Sequence, residues 1–440
     1  MLRYFDITAR GSTVAAEARG GVTTFLTMAY ILFANPAILA AAGVPTEAAV
    51  AATAASAAIC SGLMGLVANF PVALAAGMGL NAVVAYQVAP AAGGWQTAMG
   101  LVVLDGVLAL ALVLFGLREA VMNAIPRDLR RAIGVGIGLF IAFIGLVNAR
   151  LVIVPQGTLG ALAANPLAVM PPVTHGSLRT PEAVVALIGL LITIVLIARR
   201  VTGAIVLGIL ASTGLAFVLG AASLPTDAWL TIPSFETVGQ ADVRGALALS
   251  VLPLLVPLFL VDFFDTIGTV TAVADEAGLQ DDEGRIPGTR RILAVDSFSA
   301  AVGGFFGASS VTSYIESAAG VAEGARTGLH SVIVGLLFAL SMFLAPVVGI
   351  VPAAATAPAL VAVGFLMCQQ IARIDFRNIE TAIPAFVLLV TIPFTYSISH
   401  GIGYGFITFV VIEVFVGKWR EVHPIMYATA VGFAAYFIFV

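Results

Sequence analysis

The sequence predicts an all-α polytopic membrane protein whose fourteen spans form two sets of seven, the second set inverted relative to the first. Three observations carry this. Hydrophobic residues make up 60% of the chain and charged residues 10%, with a mean hydropathy of +1.07, far outside soluble averages. Apolar runs repeatedly reach spanning length. Finally, the cationic residues sort to one side of the membrane once those runs are threaded through it.

Apolar runs between polar or Pro/Gly breaks place the first set at 19–40, 48–69, 72–89, 97–116, 129–149, 182–198 and 203–222. The second set lies at 247–274, 290–307, 310–324, 328–350, 354–372, 379–397 and 400–417. With the N-terminus in the cytoplasm, all but three of the 20 Lys and Arg residues fall inside, the exceptions being Arg150, Arg179 and Arg244. The polar N-terminal stretch shows no cleavable signal pattern, so the first span is expected to act as the membrane address.

Because seven is odd, a second copy must run upside down relative to the first, which is the arrangement of many secondary transporters. The third member of each set is short and rich in small residues, Ala75-Ala76-Gly77-Met78-Gly79-Leu80-Asn81 against Ala308-Ser309-Ser310-Val311-Thr312-Ser313. The fifth member of each begins at a proline turn, Ile125-Pro126 against Val351-Pro352. Broken helices expose backbone groups only where they line a cavity, so the third and tenth spans, expected to contain short strands and half-helices, point to a binding site. The apolar segment 424–440 has no counterpart in the first set and reads equally as an interfacial helix or a short span.

Composition excludes several classes of function. A net charge of -4 spread over loops offers no nucleic-acid face. Cys60 and Cys368 lie far apart in apolar segments, and the four histidines lack metal-ligand spacing, so no metal or organic cofactor is expected. Asp281-Asp282-Glu283-Gly284 lacks the ligand alternation of a calcium loop and reads as a solvated turn. The glycine runs at 134–138 and 401–405 read as close helix packing.

Acids at membrane depth cost several kcal/mol and mark sites. Glu316 lies between two apolar stretches, and Asp262 and Asp265 interrupt another. A half-helix beginning near Ser310 and its inverted counterpart around Asn81 would face their amino ends toward one pocket. Glu316 lies within two turns of that pocket, and Asp265 on the eighth span is placed to face it, with Thr266 and Thr269 on one side of the same helix. Two acceptor-only carboxylates, hydroxyls and a carboxamide suit a flat ligand with N–H donors and ring nitrogens. Each of these residues also has a structural reading: an acid that stays protonated and bonds a neighbouring helix, an amide that joins two helices, an aromatic ring at Tyr314 that packs. Asp262, one turn earlier, reads equally as functional or as orienting a neighbour.

The stretches Gly21-Val22-Thr23-Thr24-Phe25-Leu26-Thr27-Met28-Ala29-Tyr30, Gly77-Met78-Gly79-Leu80-Asn81-Ala82, Val261-Asp262-Phe263-Phe264-Asp265-Thr266-Ile267-Gly268-Thr269 and Thr312-Ser313-Tyr314-Ile315-Glu316-Ser317-Ala318-Ala319-Gly320 resemble the AzgA-like purine permeases, of the nucleobase-ascorbate transporter superfamily. Asn35-Pro36, Gly324-Ala325-Arg326-Thr327-Gly328 and Pro393-Phe394-Thr395-Tyr396-Ser397-Ile398 match as well. The resemblance runs from about residue 3 to the end of the sequence. It implies a plasma-membrane importer of adenine, guanine or hypoxanthine, commonly driven by protons, with a fold like that of uracil permease. Residues 1–117 and 247–350 would form a core domain, 118–246 and 351–418 a gate domain, and 419–440 a C-terminal apolar segment.

Carried over by position, Asp265, Glu316 and Asn81 match substrate-binding residues. Tyr314, with its neighbour Ile315, falls where the uracil carrier contacts its base. Thr269 stands where relatives carry a second polar or titratable group, which leaves the proton carrier open among Asp262, Asp265 and Glu316. Thr24 and Thr27 complete the implied pocket. Expected partners are a purine base and the lipid bilayer, with no nucleic acid, and a homodimer is left open. The alternatives are an anion transporter or exchanger on the same fold, and a channel. An enzyme is not expected, because no metal cluster or nucleophile–base pair is visible.

Overall fold

A computed structural model describes residues 4–115, 125–165, 173–222, 232–279 and 286–439. The acidic turn at Asp281, Asp282 and Glu283 lies outside the described residues. The chain is a helical polytopic membrane protein. Among the described residues, six helical stretches are long and apolar enough to cross a bilayer: Val14–Ala40, Thr46–Ala68, Trp95–Leu114, Arg127–Asn148, Pro181–Ala198 and Ala353–Arg373. Shorter apolar helices lie at Ala204–Val218, Gly328–Ser341, Ile379–Phe394 and His400–Val416.

In chain order, α1 (Val14–Met28) and α2 (Ile31–Ala40) are followed by α3 (Thr46–Leu63), strand β1 (Leu74–Ala76) and the short α4 (Met78–Val83). Then come α5 (Trp95–Leu114), α6 (Arg127–Asn148), the two-residue strands β2 (Val152–Ile153) and β3 (Thr174–His175), α7 (Pro181–Ala198) and α8 (Ala204–Val218). The chain continues through α9 (Leu255–Glu276), α10 (Thr289–Phe306), β4 (Val311–Ser313), the short α11 (Ser317–Ala322) and α12 (Gly328–Ser341). The last helices are α13 (Ala353–Cys368), α14 (Ile379–Phe394), α15 (Ile398–Val416) and α16 (Pro424–Phe439). Each apolar run identified in the sequence thus corresponds to a helix or a strand–helix unit.

Local chemistry explains the boundaries. Pro126 and Pro352 sit at the N-caps of α6 and α13 in extended conformation, where the missing N–H of proline costs no helical hydrogen bond. The expected span from 247 is helical only from Leu255, because Pro253 holds Leu252–Leu254 in a tight 3-10 turn before α9 begins. The half-helix expected near Ser310 begins instead at Ser317. Ser309 takes a left-handed φ of 70°, and the next residues extend into β4, so the backbone pairs with β1 before it coils.

The glycine run on α6 serves close packing. A Cβ on Gly364 of α13 would lie 2.4 Å from the Gly138 carbonyl oxygen, and one on Gly138 would lie 2.7 Å from that of Gly364, so the two helices touch backbone to backbone. Gly401 and Gly403 of α15 leave room for the side chains of Ile392 and Phe437. Phe406 and Tyr404 of α15 meet Phe433 and Phe437 of α16 respectively, so the two helices run antiparallel. The C-terminal apolar segment therefore stands along its neighbour instead of lying across it.

Candidate functional site

The site is built on the two strands. β1 and β4 pair antiparallel, Leu74 opposite Ser313, Ala75 opposite Thr312 and Ala76 opposite Val311, with every residue of both strands buried. Three-residue strands cannot hold themselves together in isolation, and side chains brace them. Ser61 Oγ accepts from Leu74 N at 2.8 Å and donates to Leu74 O at 2.9 Å, and Ser317 Oγ accepts from Ala73 N at 3.0 Å. The Tyr314 hydroxyl donates to the Ala76 carbonyl across the pair.

Asp296 of α10 is the strongest brace. Its Oδ1 accepts from Ser313 N at 3.0 Å and from Ser313 Oγ at 2.8 Å, while Oδ2 accepts from Thr266 Oγ1 of α9 at 2.5 Å. Thr266 Oγ1 also lies 3.1 Å from Thr312 Oγ1. One fully buried carboxylate thus ties α9, α10 and β4 together, and charge-assisted bonds of this kind are the stronger sort. Sequence reading missed it, because Asp296 closely follows Arg290 and Arg291 and resembles an interfacial acid.

α9 packs against α4, β4 and α11 and brings its acids to that junction. Asp262 is buried and accepts from Ser310 Oγ at 2.9 Å, which fixes the segment entering β4. Asp265 is partly accessible, makes no hydrogen bond to a described side chain, and lies within electrostatic range of Asp262, Asp296 and Glu316. Thr269 is buried one turn further along α9. Glu316 caps the start of α11 and accepts a 2.8 Å hydrogen bond at Oε1 from the hydroxyl of Tyr30, at the junction of α1 and α2. Asn81 of α4 is fully buried, and its Oδ1 has no hydrogen-bond partner among the described residues.

Asp265, Glu316, Tyr314 and Tyr30 therefore lie together, as the sequence led one to expect for the first three. The backbone donors at the start of α11 do not fit that expectation. Ser317 N, Ala318 N and Ala319 N bond to the carbonyls of Tyr314, Ile315 and Glu316, so the first turn satisfies itself. The hydroxyls of Thr24 and Thr27 on α1 are already engaged with protein partners. Thr24 Oγ1 is paired with His330 Nε2 of α12 at 2.8 Å, and Thr27 Oγ1 donates to Thr24 O at 2.8 Å, the usual local solution for a hydroxyl in an apolar helix. Ile315 is 49% exposed while Tyr314 beside it is buried, so the two side chains diverge.

Tyr30 was also missed. An aromatic residue in an apolar helix reads as packing, and its one signal was its position at the end of a stretch with a recognisable family pattern.

A model described as "Permease family" matches residues 16–403. The chain belongs to this family. A putative permease of Methanocaldococcus jannaschii is 43% identical over 99% of this chain and 98% of its own length. The guanine/hypoxanthine permease PbuG of Bacillus subtilis is 41% identical over 100% of both chains, and the adenine permease AdeP of Escherichia coli is 39% identical over 100% of this chain and 96% of its own. The resemblance to purine permeases thus extends over the full sequence, and the chain is a permease, not an enzyme. Among solved structures, the transmembrane domain of a cyanobacterium bicarbonate transporter, BicA, superposes with a TM-score of 0.62 at 16% identity, covering 91% of this permease and 96% of that chain. Murine Slc26a9, an anion transporter in the inward-facing state, gives 0.62 at 14% identity over 92% and 69%. These two show a shared fold.

Proposed function

We propose that this permease imports purine nucleobases (adenine, guanine or hypoxanthine) across the plasma membrane by proton symport with alternating access. The observation that carries the reading is the convergence of Asp265 and Glu316 at the strand break. Both are partly accessible, and Asn81 of α4, which packs against α9, has a buried acceptor with no partner among the described residues. Purines offer ring N–H and amino donors beside ring-nitrogen acceptors, which two carboxylates and a carboxamide complement. Full-length relatives named for guanine, hypoxanthine and adenine support the same substrate class.

The fold also carries anion transporters, but β1, α4, α9, β4 and α11 contain no Lys or Arg, and an anion between Asp265 and Glu316 would be repelled. The fourteen-span 7+7 plan and the core and gate domains belong to this proposal. Matched strand–helix units and the matched caps at Pro126 and Pro352 support them.

An aromatic cluster supports the alternating-access part. Tyr396, between α14 and α15, meets Phe140 and Phe143 of α6 and Tyr86, which follows α4, with ring centroids 5.1, 6.1 and 6.0 Å apart. Tyr396 holds a φ of 54°, a conformation seldom adopted by a bulky side chain. Under the proposed topology this contact joins core to gate on the outer side, as expected of a state closed to the exterior.

The direct test is a thermal-shift and binding panel of adenine, guanine, hypoxanthine, xanthine and uracil on the purified protein. Stabilisation by one or more of the first three is expected; binding of uracil alone would overturn the substrate class. Coupling requires a separate assay. With two acids close together and largely desolvated, a proton on one relieves its repulsion of the other and leaves that other as the charged acceptor for ligand N–H groups, so proton and substrate favour each other's binding. Purine uptake into vesicles is therefore expected to accelerate several-fold when the exterior is made acidic, and equal initial rates with and without the gradient would exclude symport.

A further inference from the structure

Glu316 does not present both of its oxygens free to the site. Tyr30 is 1% exposed and donates its hydroxyl to Oε1 at 2.8 Å, while Oε2 makes no hydrogen bond to another described side chain. Tyr30 stands at the junction of α1 and α2, so the contact links the first helical pair to the cap of α11. The neighbours of this pair divide the remaining roles. Tyr314 commits its hydroxyl to the Ala76 carbonyl, His330 of α12 pairs with Thr24, and Asp265 approaches from α9 without a hydrogen bond to a described side chain, backed by Asp262 and Asp296. Among the described side chains, Tyr30 is thus the one that donates to Glu316.

We propose that Tyr30 is a positioning residue of the purine site. By donating to Oε1 it sets the plane of the Glu316 carboxylate and leaves Oε2 as the less encumbered acceptor for a ligand N–H. This rests on the reading of Glu316 as a substrate-binding acid. A carboxylate fixed in this way accepts one N–H in one direction, whereas a freely rotating one loses side-chain freedom each time a ligand binds. Asp265, which has no such donor, would adapt to the second polar edge of the base. The division predicts that purines differing at the edge facing Glu316 are discriminated more sharply than those differing at the edge facing Asp265.

Tyr30→Phe removes one oxygen and keeps the ring that fills the junction. Affinity for hypoxanthine is expected to fall about tenfold, the usual scale for a hydrogen bond to a charged group. The loss should vanish when Tyr30→Phe is added to Glu316→Ala, which leaves neither carboxylate nor amide for Tyr30 to position. Removing a donor from a carboxylate also disfavours its charged form, so the acid limb of hypoxanthine binding should move to higher pH in Tyr30→Phe. That shift decides the matter if Glu316→Ala binds too weakly to measure.

Binding read in membranes as well as in detergent keeps a micelle-labile variant informative. Wild-type affinity together with a wild-type pH profile in Tyr30→Phe, or an equal loss in both backgrounds, overturns the role of Tyr30. If Glu316→Gln itself binds hypoxanthine as the wild type does, the purine-site reading has failed instead.

Discussion

Glu316→Gln and Asp265→Asn are each expected to weaken purine binding by about 10- to 100-fold while leaving the fold intact. Both changes preserve shape and remove charge. A hydrogen bond to a charged group contributes about 1.5–3 kcal/mol, against about 0.5–1.5 for a neutral one, and each amide introduces N–H donors where a ligand N–H needs an acceptor. Neither change should unfold the protein. Asp265 makes no hydrogen bond to a described side chain, and Gln at position 316 still offers an oxygen to the Tyr30 hydroxyl at the present 2.8 Å contact. The measurement is equilibrium binding of radiolabelled hypoxanthine to protein that elutes as a single species. Wild-type affinity in either variant would remove that residue from the site. If the two acids grip one ligand, the double variant should depart from additivity, because residues sharing a partner couple energetically.

The parts of this site differ in how visible they were before the structure. Spans are legible because the bilayer demands about 20 apolar residues at a stretch, and prolines such as Pro126 and Pro352 mark helix starts for a reason that holds in any context. Asp265 and Glu316 stand out because charge inside an apolar run has few structural excuses. The pairing of β1 with β4 was not legible in register. Three residues carry no periodicity, and the partners are separated by most of the chain.

Asp296 and Tyr30 escaped for opposite reasons. An acid soon after two arginines looks like a membrane-edge residue, and a tyrosine in an apolar helix looks like packing until its hydroxyl is seen to reach Glu316. Thr24 shows a different gap. A hydroxyl placed near a pocket by sequence was already committed to His330, and such pairings depend on rotamers and helix rotation that spacing alone does not specify.

Asp296→Ala is expected to cause the largest loss of stability of any change at this site. It would leave Ser313 N, Ser313 Oγ and Thr266 Oγ1 without the acceptor they now share. The hydroxyls can rotate, and Thr266 has Thr312 within 3.1 Å, but the backbone N–H of Ser313 has no such freedom. Each buried donor left unsatisfied costs about 1–3 kcal/mol, so a loss of several kcal/mol is expected. It falls on the one strand pair that carries Tyr314 and Glu316 just beyond its end.

Asp296→Asn separates acceptor from charge. Its Oδ1 can still receive Ser313 N, and Thr266 can turn to Thr312, so the Asn variant should be recovered folded with a modest drop in Tm while the Ala variant is recovered poorly. Thermal unfolding in detergent, with and without hypoxanthine, reads both effects. If Asp296→Ala unfolds at the wild-type temperature, Asp296 does not brace the strands. If Asn is as damaging as Ala, it is the negative charge of Asp296, not its acceptor geometry, that holds β4 against α9 and α10.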